Sequence, residues 1–458
     1  MKKKIITIVV LITAFILALP LVGNRVINAT LEMRLASLSD YGVSYKIVNE
    51  KNSYLTTEER FIFSITDKKK FYAYVQSQAK QQVPPYVSMM LDGMEIAVDT
   101  SYANVPIFNT ISLDITPYSL PKKMVEDLQV AQPDVYKKLM KLIHDEKLLY
   151  HIDYDVVKMY FNGYIKDMNE EIALNNDYSI VINFKNINFN GHGLLMKPRD
   201  YKSHIETMYL KMSRFNNTLV VFDLENVNSS GVFDSKIEYK SFLEATDFNL
   251  TIKQDRLNNI TLYAQDISFN ISSSEVHNKI AAVFKNSIKS LDINAFDTLV
   301  KVENFNLDSE ISDIDKEMFV LMQTSLEQAQ NGSKQQSSDE ALQYSLGLLS
   351  KGLKIDIKNF DIENIFYHDN DIDGFSTKLL LEVLPDDNFG AKLKTPKLLI
   401  DNLVVDAKIK IATNFFEFLK SLNPTAILAE NFSKKENNSV IFDVHVKDSK
   451  IKINDKEI

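Results

Sequence analysis

At 458 residues the chain is longer than one hydrophobic core ordinarily organises, and its 45% apolar and 25% charged residues suit a folded protein rather than a disordered one. A formal charge of -9 argues against a nucleic-acid partner, since phosphate affinity needs a cationic surface. With no cysteine, disulfides and thiolate metal sites are excluded.

Lys2, Lys3 and Lys4 precede the uncharged run IITIVVLITAFILALPLV, Ile5–Val22. As a helix its 18 residues would measure about 27 Å, enough to cross a hydrocarbon core. Three lysines before the run, against isolated Arg25 and Arg34 after it, place the N-terminus in the cytoplasm and the rest outside. A cleaved signal peptide is the competing reading. Cleavage after Ala18 or Gly23 would put Ile16 or Leu21 where a small residue is wanted, so an uncleaved anchor is preferred. Val26, Ile27, Leu31, Leu35 and Leu38 continue a helical stripe and predict a short stalk to about residue 40.

Beyond the stalk, an α/β part over 41–175 precedes a strand-rich body over 176–458. In that body one irregularity recurs. In NITLYAQDISFNI, apolar residues occupy Ile260, Leu262 and Ala264, skip Asp266, and restart at Ile267, Phe269 and Ile271. The same skip falls at Asn186, Asn226, Asn304, Asn359 and Asn402. Period two means strand, and a one-residue shift would carry the apolar set to the other face. A β-bulge is the expected device, and Asn and Asp suit it because they tolerate left-handed backbone angles. The intervals are 40, 40, 38, 55 and 43 residues, which predicts stacked units of two or more antiparallel strands.

Helices are predicted between the strands. Leu120–Leu149 reads as two, with Pro121 and Pro133 in first turns. Ser273–Leu291, Asp313–Gln330 and Ser338–Gly352 read as three more, with a polar loop at Asn331–Ser338. Thr413–Ser433 reads as a broken sixth, and Val440–Ile453 as a closing hairpin. The predicted fold is β-dominated α+β: an N-terminal transmembrane helix, then an elongated, twisted and curved antiparallel sheet array with about six interspersed helices.

Chemistry is sparse. There is no G-x-S-x-G elbow, Walker loop, dinucleotide fingerprint or H-E-x-x-H motif. His192, inside Gly191–Gly193, reads as a structural glycine-flanked turn. Asp369, Asp371 and Asp373 followed by Gly374 match the first half of a calcium loop, but the twelfth position is Leu380 where Glu is wanted, so a solvated turn is the simpler reading. No other cofactor and no catalytic residue is indicated. The long amphipathic strands fit either a filled core or a groove for acyl chains.

The segments GVSYKIVNEKNSYLTTEERFIFSI (Gly42–Ile65), AKIKIATNFFEFLKSL (Ala407–Leu422) and SVIFDVHVKDSKIKINDKEI (Ser439–Ile458), behind an N-terminal anchor, resemble the YdgA-like family of bacterial envelope proteins. Leu55, Thr56, Ser449 and Asp455 stand where that family's hairpins often carry glycine. The resemblance implies single-pass anchoring in a bacterial inner membrane with the body in the periplasm, and it brings no catalytic residues. Repeated β units on a tether also resemble the AsmA-like envelope proteins in architecture. The expected function is a non-enzymatic envelope interaction or maintenance factor, with envelope proteins or lipids as partners. The alternative is lipid or hydrophobic-ligand carriage, and an envelope hydrolase comes third.

Overall fold

The structure, a computed structural model, describes residues 35, 37–79, 92–104, 110–173, 177–195, 197–215, 217–253, 259–295, 298–330, 334–367, 370–392, 395–423 and 426–457. The predicted anchor, with its flanks Lys2, Lys3, Lys4 and Arg25 and most of the stalk, lies outside them. Among the described residues no helix is long and apolar enough to cross a membrane. The described residues are β-dominated, and their sheet is large, open and antiparallel. It divides into two compact units, Met1–Asn217 and Thr218–Ile458. The expected division at 175/176 falls inside the first.

In the first unit, β1 (Val43–Asn52), β2 (Thr56–Ile65), β3 (Glu95–Ala103), β4 (Thr110–Ser119), β5 (Tyr150–Asp155) and β6 (Tyr160–Ile165) pair in chain order. The long β8 (Tyr178–Leu194) is flanked on one edge by β6 and by β7 (Met168–Ala173), and on the other by β9 (Lys197–Arg214). Helix α1 (Lys68–Ala79) follows β2. The pair predicted over Leu120–Leu149 is present as α2 (Lys122–Ala131) and α3 (Pro133–His144), with Pro121 capping the first and Pro133 in the first turn of the second. α3 lies on β4 and β7 and buries Val135 and Ile143. Phe61, Ile62, Ala97, Ile152, Phe161 and Met168 are among the other buried apolar side chains of this unit.

The second unit is a meander of longer strands. β10 (Asn217–Phe233), which starts at the unit boundary, β11 (Tyr239–Lys253), β12 (Asn259–Val276), β13 (Lys279–Ala295) and β14 (Thr298–Asp315) pair in sequence order. A helical hairpin, α4 (Lys316–Gln330) and α5 (Lys334–Ser350), interrupts the series. It resumes with β15 (Leu353–Tyr367), β16 (Asn370–Val383) and β17 (Leu403–Ala412). After α6 (Thr413–Leu422) and the short helix Ala426–Glu430 come β18 (Lys434–Glu436), β19 (Ser439–Lys447), β20 (Lys450–Ile453) and β21 (Lys456–Glu457). Here the broken sixth helix and the closing hairpin stand as expected. α6 packs on β16, β17 and β19, and its Phe416 is buried against Val440 and Phe442 of β19.

Two expectations fail. Ser273–Leu291 is not a helix but the end of β12, a turn and most of β13. Val276, Ile280, Phe284 and Ile288 recur every four residues, a spacing that one helix face and one strand face share, so periodicity could not separate them. His277 and Asn278, at φ 53° and 63°, make the two-residue turn that closes a hairpin, and ladders on both sides fix the strand. The polar stretch predicted as a loop is helical from Lys334 onward, in α5, which packs against α4 and buries Ala341.

Ser449 and Asp455 sit at φ 62° and 66° in the tight turns after β19 and β20. These are the left-handed positions that glycine ordinarily fills.

Candidate functional site

The skip residues organise the strand-rich body, although the device differs from the one expected. Asn186, Asn226, Asp266 and Asn304 lie inside β8, β10, β12 and β14 with φ of 47°, 49°, 45° and 51°. No residue is inserted there. Gln265 pairs with Ser290 and Ile267 with Ile288, so the register is the same on both sides of Asp266. The ladder simply lacks the pair between Asp266 and Lys289. The same gap separates Asn186 from Glu206, and Asn304 from both Lys289 and Glu363.

The neighbouring strands therefore skip as well. In β11 the apolar places run Ile252, Leu250, Phe248 and then Ala245, Leu243 around Thr246; in β13 they run Ile293, Leu291 and then Ile288 around Lys289. Each interruption is matched by one directly opposite, so both strands change phase together and pairing survives. The matched stations form a seam across the sheet, Asp266–Lys289–Asn304–Glu363–Gly374, each member opposite the next. Side chains close it: Lys289 Nζ lies 3.0 Å from Asp266 Oδ2, and Asn304 Nδ2 donates to Glu363. In the first unit Asn186 Nδ2 donates to Glu206 Oε2 at 3.4 Å. At Gly374 a Cβ would collide with the Ile362 carbonyl oxygen, so the seam admits only glycine there.

The last two skips differ. Asn359 is a true bulge: the register of β15 slips by one between Ile357 and Phe360 against β16, and between Ile357 and Asn359 against β14. Asn402 is not in a strand. It ends a 3-10 turn, Ile400–Asn402, is buried, and accepts a hydrogen bond from Lys392 Nζ at 2.7 Å. The apolar spacing around it is that of a short turn leading into β17, which alternation alone does not distinguish from a strand.

Because the phase changes are matched, cross-strand pairing builds long apolar rows. Before the seam, Phe222–Leu250–Leu262–Ile293–Val300–Tyr367 is one row and Leu224–Phe248–Ala264–Leu291–Val302–Ile365 the next. Beyond it, Leu243–Phe269 and Leu307–Phe360 continue, with Asn286 as the one polar member between them. These side chains are mostly half-exposed, and Leu243 and Phe269 are each 37% exposed. Among the described residues no helix packs substantially on β10–β13.

The reverse face is polar. Asp223, Asn249, Tyr263 and Asp292 form one row, and Glu225, Asp247, Gln265 and Ser290 the next. The Tyr263 hydroxyl donates to Asp247 Oδ1 at 2.7 Å, and this bond pushes its pKa up to about 12. Burial, reinforced by the Asp247 charge, raises Asp223. A shallow cavity of about 420 Å³ lies over the seam on the polar side, lined by Asn304, Asn306, Asp361, Glu363 and Lys410 among others.

The structure does not assemble the calcium candidate. Asp371 and Asp373 lie in β16, laddered to Phe366 and Asn364, and extended backbone cannot wrap a cation as a loop does. Asp369 lies outside the described residues.

His192 is in β8 rather than a free turn. It hydrogen-bonds Asp200 across the ladder at 2.8 Å and packs against the Tyr160 ring. Two further histidines show a related arrangement that sequence reading missed. His151 Nδ1 is 2.6 Å from Asp114 and its Nε2 3.4 Å from Asp153; His445 lies 3.7 Å from Asp406 and 3.2 Å from Asp443. The second group could hold an ion by its mutual distances, yet its histidine nitrogens already face carboxylates and the site is open to solvent. The signal was an Asp two places from a His, and only strand pairing supplies the second Asp.

Neither family models, nor curated proteins, nor solved structures show a significant match to this chain.

Proposed function

We propose that this chain is a binding protein for lipids or similar hydrophobic ligands, which it holds along the apolar face of the second unit. One observation carries the reading: apolar rows several strands wide stay half-exposed where a filled core would bury them. Contiguous apolar surface left open in this way commonly marks a binding surface. An acyl chain is flexible, apolar and about as wide as one row, and it needs no directional partner. The polar reverse face and the hydrogen-bonded seam hold the form of β10–β13, on which no described helix packs substantially.

In this reading Ile5–Val22 tethers the protein to a bacterial inner membrane, with Lys2–Lys4 cytoplasmic and the body in the periplasm. The protein is a carrier or holder rather than an enzyme. An envelope interaction factor would be served better by a filled interior and a flat polar surface, so the half-exposed rows favour the ligand.

Native mass spectrometry of the full chain extracted from membranes tests this. Wild type is expected to carry lipid adducts that Leu262→Asp loses, while the anchor, common to both, is unchanged. Equal lipid content in the two proteins, with both folded, would remove the proposal.

A further inference from the structure

The first unit carries a second apolar surface, made of turns rather than rows. The β5–β6 turn exposes Val156, Val157 and Met159, with Val157 69% open. The β8–β9 turn exposes Leu194 and Leu195. The two are neighbours at one end of the sheet, tied by a hydrogen bond from Gly193 N to Met159 O of 2.6 Å. Tight surface turns ordinarily carry polar residues, so adjoining aliphatic apices need a reason.

The charges at these turns are sorted. Asp155 is turned inward and accepts the backbone N–H groups of Val157 and Lys158 at 3.1 and 2.9 Å. Its side chain is 18% exposed while that of Lys158 is 77% exposed. In the second hairpin Asp200 is held by His192, at 31% exposure, while Arg199 beside it is 67% exposed and Lys197 is exposed as well. Each carboxylate also pairs with a neighbouring cation, Asp155 Oδ2 with Lys158 Nζ at 3.4 Å and Asp200 Oδ2 with Arg199 Nε at 3.7 Å, but the carboxylate is the more covered partner in both pairs, so it is the cationic side chains that face out around the aliphatic apices.

We infer that this end of the first unit docks on an anionic lipid surface, with Val157 and Leu194 entering the acyl boundary and Lys158, Lys197 and Arg199 at the headgroups. Aliphatic tips ringed by long cationic side chains suit an interface whose hydrocarbon lies under negative charge, since the stems stay among apolar groups while the charged ends reach the headgroups. A hairpin turn also closes its own backbone bonds, so its apex can leave water cheaply. The docking does not depend on whether the second unit carries a ligand.

Because the chain lacks cysteine, single labels are unambiguous. The full chain, held in nanodiscs of phosphatidylcholine, would carry an environment-sensitive fluorophore at V157C or L194C and be offered vesicles containing a spin-labelled quencher lipid. With roughly one-third phosphatidylglycerol in the vesicles, both labels are expected to be quenched, and at least about fivefold less with phosphatidylcholine alone. A label at V130C, on α2 and at 87% more exposed than either, should stay unquenched. The K158E/R199E double variant should melt as wild type does and bind anionic vesicles at least about tenfold more weakly, since its outward charge is reversed. Absence of quenching at both turns, equal quenching at V130C, or unchanged binding by K158E/R199E would overturn the inference. A label shift that needs no vesicles and grows with protein concentration would also overturn it, assigning the turns to contact with a second copy.

Discussion

A residue held at φ near +50° is strained by its Cβ against the following carbonyl oxygen, by about 1–2 kcal/mol for most side chains and less for Asn and Asp. That difference is why Asn186, Asn226, Asp266 and Asn304 carry the seam. Glycine should be accepted there and a β-branched residue should not. Asn226→Gly is expected to shift the urea midpoint little, whereas Asn226→Val should destabilise by about 1–3 kcal/mol. Equal effects of the two would show that the backbone angle at this station is not what selects the residue. The bulge at Asn359 gives a sharper contrast. Phe360 packs on Phe305 and Phe375 with ring centroids 5.9 and 4.9 Å away, yet it is only half-buried. Phe360→Asp should therefore cost about 1.5–3 kcal/mol, below the figure for a sealed core. Its neighbour Lys358 is exposed and pairs with Glu310 at 3.0 Å, an exposed ion pair whose loss in Lys358→Ala should stay under about 0.5 kcal/mol. Denaturant titration of both variants measures the face assignment directly.

Single strands are less informative than pairs of strands, and the limits of reading the sequence follow from that. Alternation revealed where strands lie, and the Asn and Asp skips located the irregular backbone. Glu206, Thr246, Lys289 and Glu363 went unnoticed because nothing in their own strands marks them; they are defined by what stands opposite. The same blindness explains the Ser273–Leu291 error, where β12 and β14 decided a pattern that local spacing left open. It also hid the histidine groups. His151 sits in β5 with Asp153 two places on, but Asp114 arrives from β4. Burial alone would lower the His151 pKa; hydrogen bonds that its ring donates to Asp114 and Asp153, with the charges of those carboxylates, outweigh it and raise the value. The folded protein then holds this proton more tightly than the unfolded chain, whose histidines titrate near about 6.5. The resulting stabilisation is complete below that pH and is lost as pH rises through the higher folded value. The urea midpoint of wild type should fall more between about pH 6 and pH 8 than that of His151→Gln, which lacks the titrating group. Parallel profiles would show that the β4–β5 histidine is not linked to folding.

At the scale of the whole chain, the forty-residue interval is a hairpin of two long strands, and the matched seam makes each hairpin interchangeable. β11 pairs with β12 so that Thr246 faces Asp266, and β13 pairs with β14 so that Lys289 faces Asn304. Removing residues 258–297 deletes β12 and β13 together and brings β11 against β14. Carrying the registers through, Thr246 then faces Asn304, Phe248 faces Val302 and Leu250 faces Val300, so both seam and apolar rows stay aligned. A sheet in which each strand contacts only its neighbours should tolerate this as repeat proteins do. The shortened chain is expected to fold, to show far-ultraviolet circular dichroism of the same strand character, and to carry fewer lipid adducts than the full chain in native mass spectrometry. Removing residues 259–278 instead, which takes out β12 alone, would leave β11 and β13 running in the same direction and should not fold. If both deletions collapse alike, the seam does not make the hairpins equivalent, and the periodicity in the sequence has another cause.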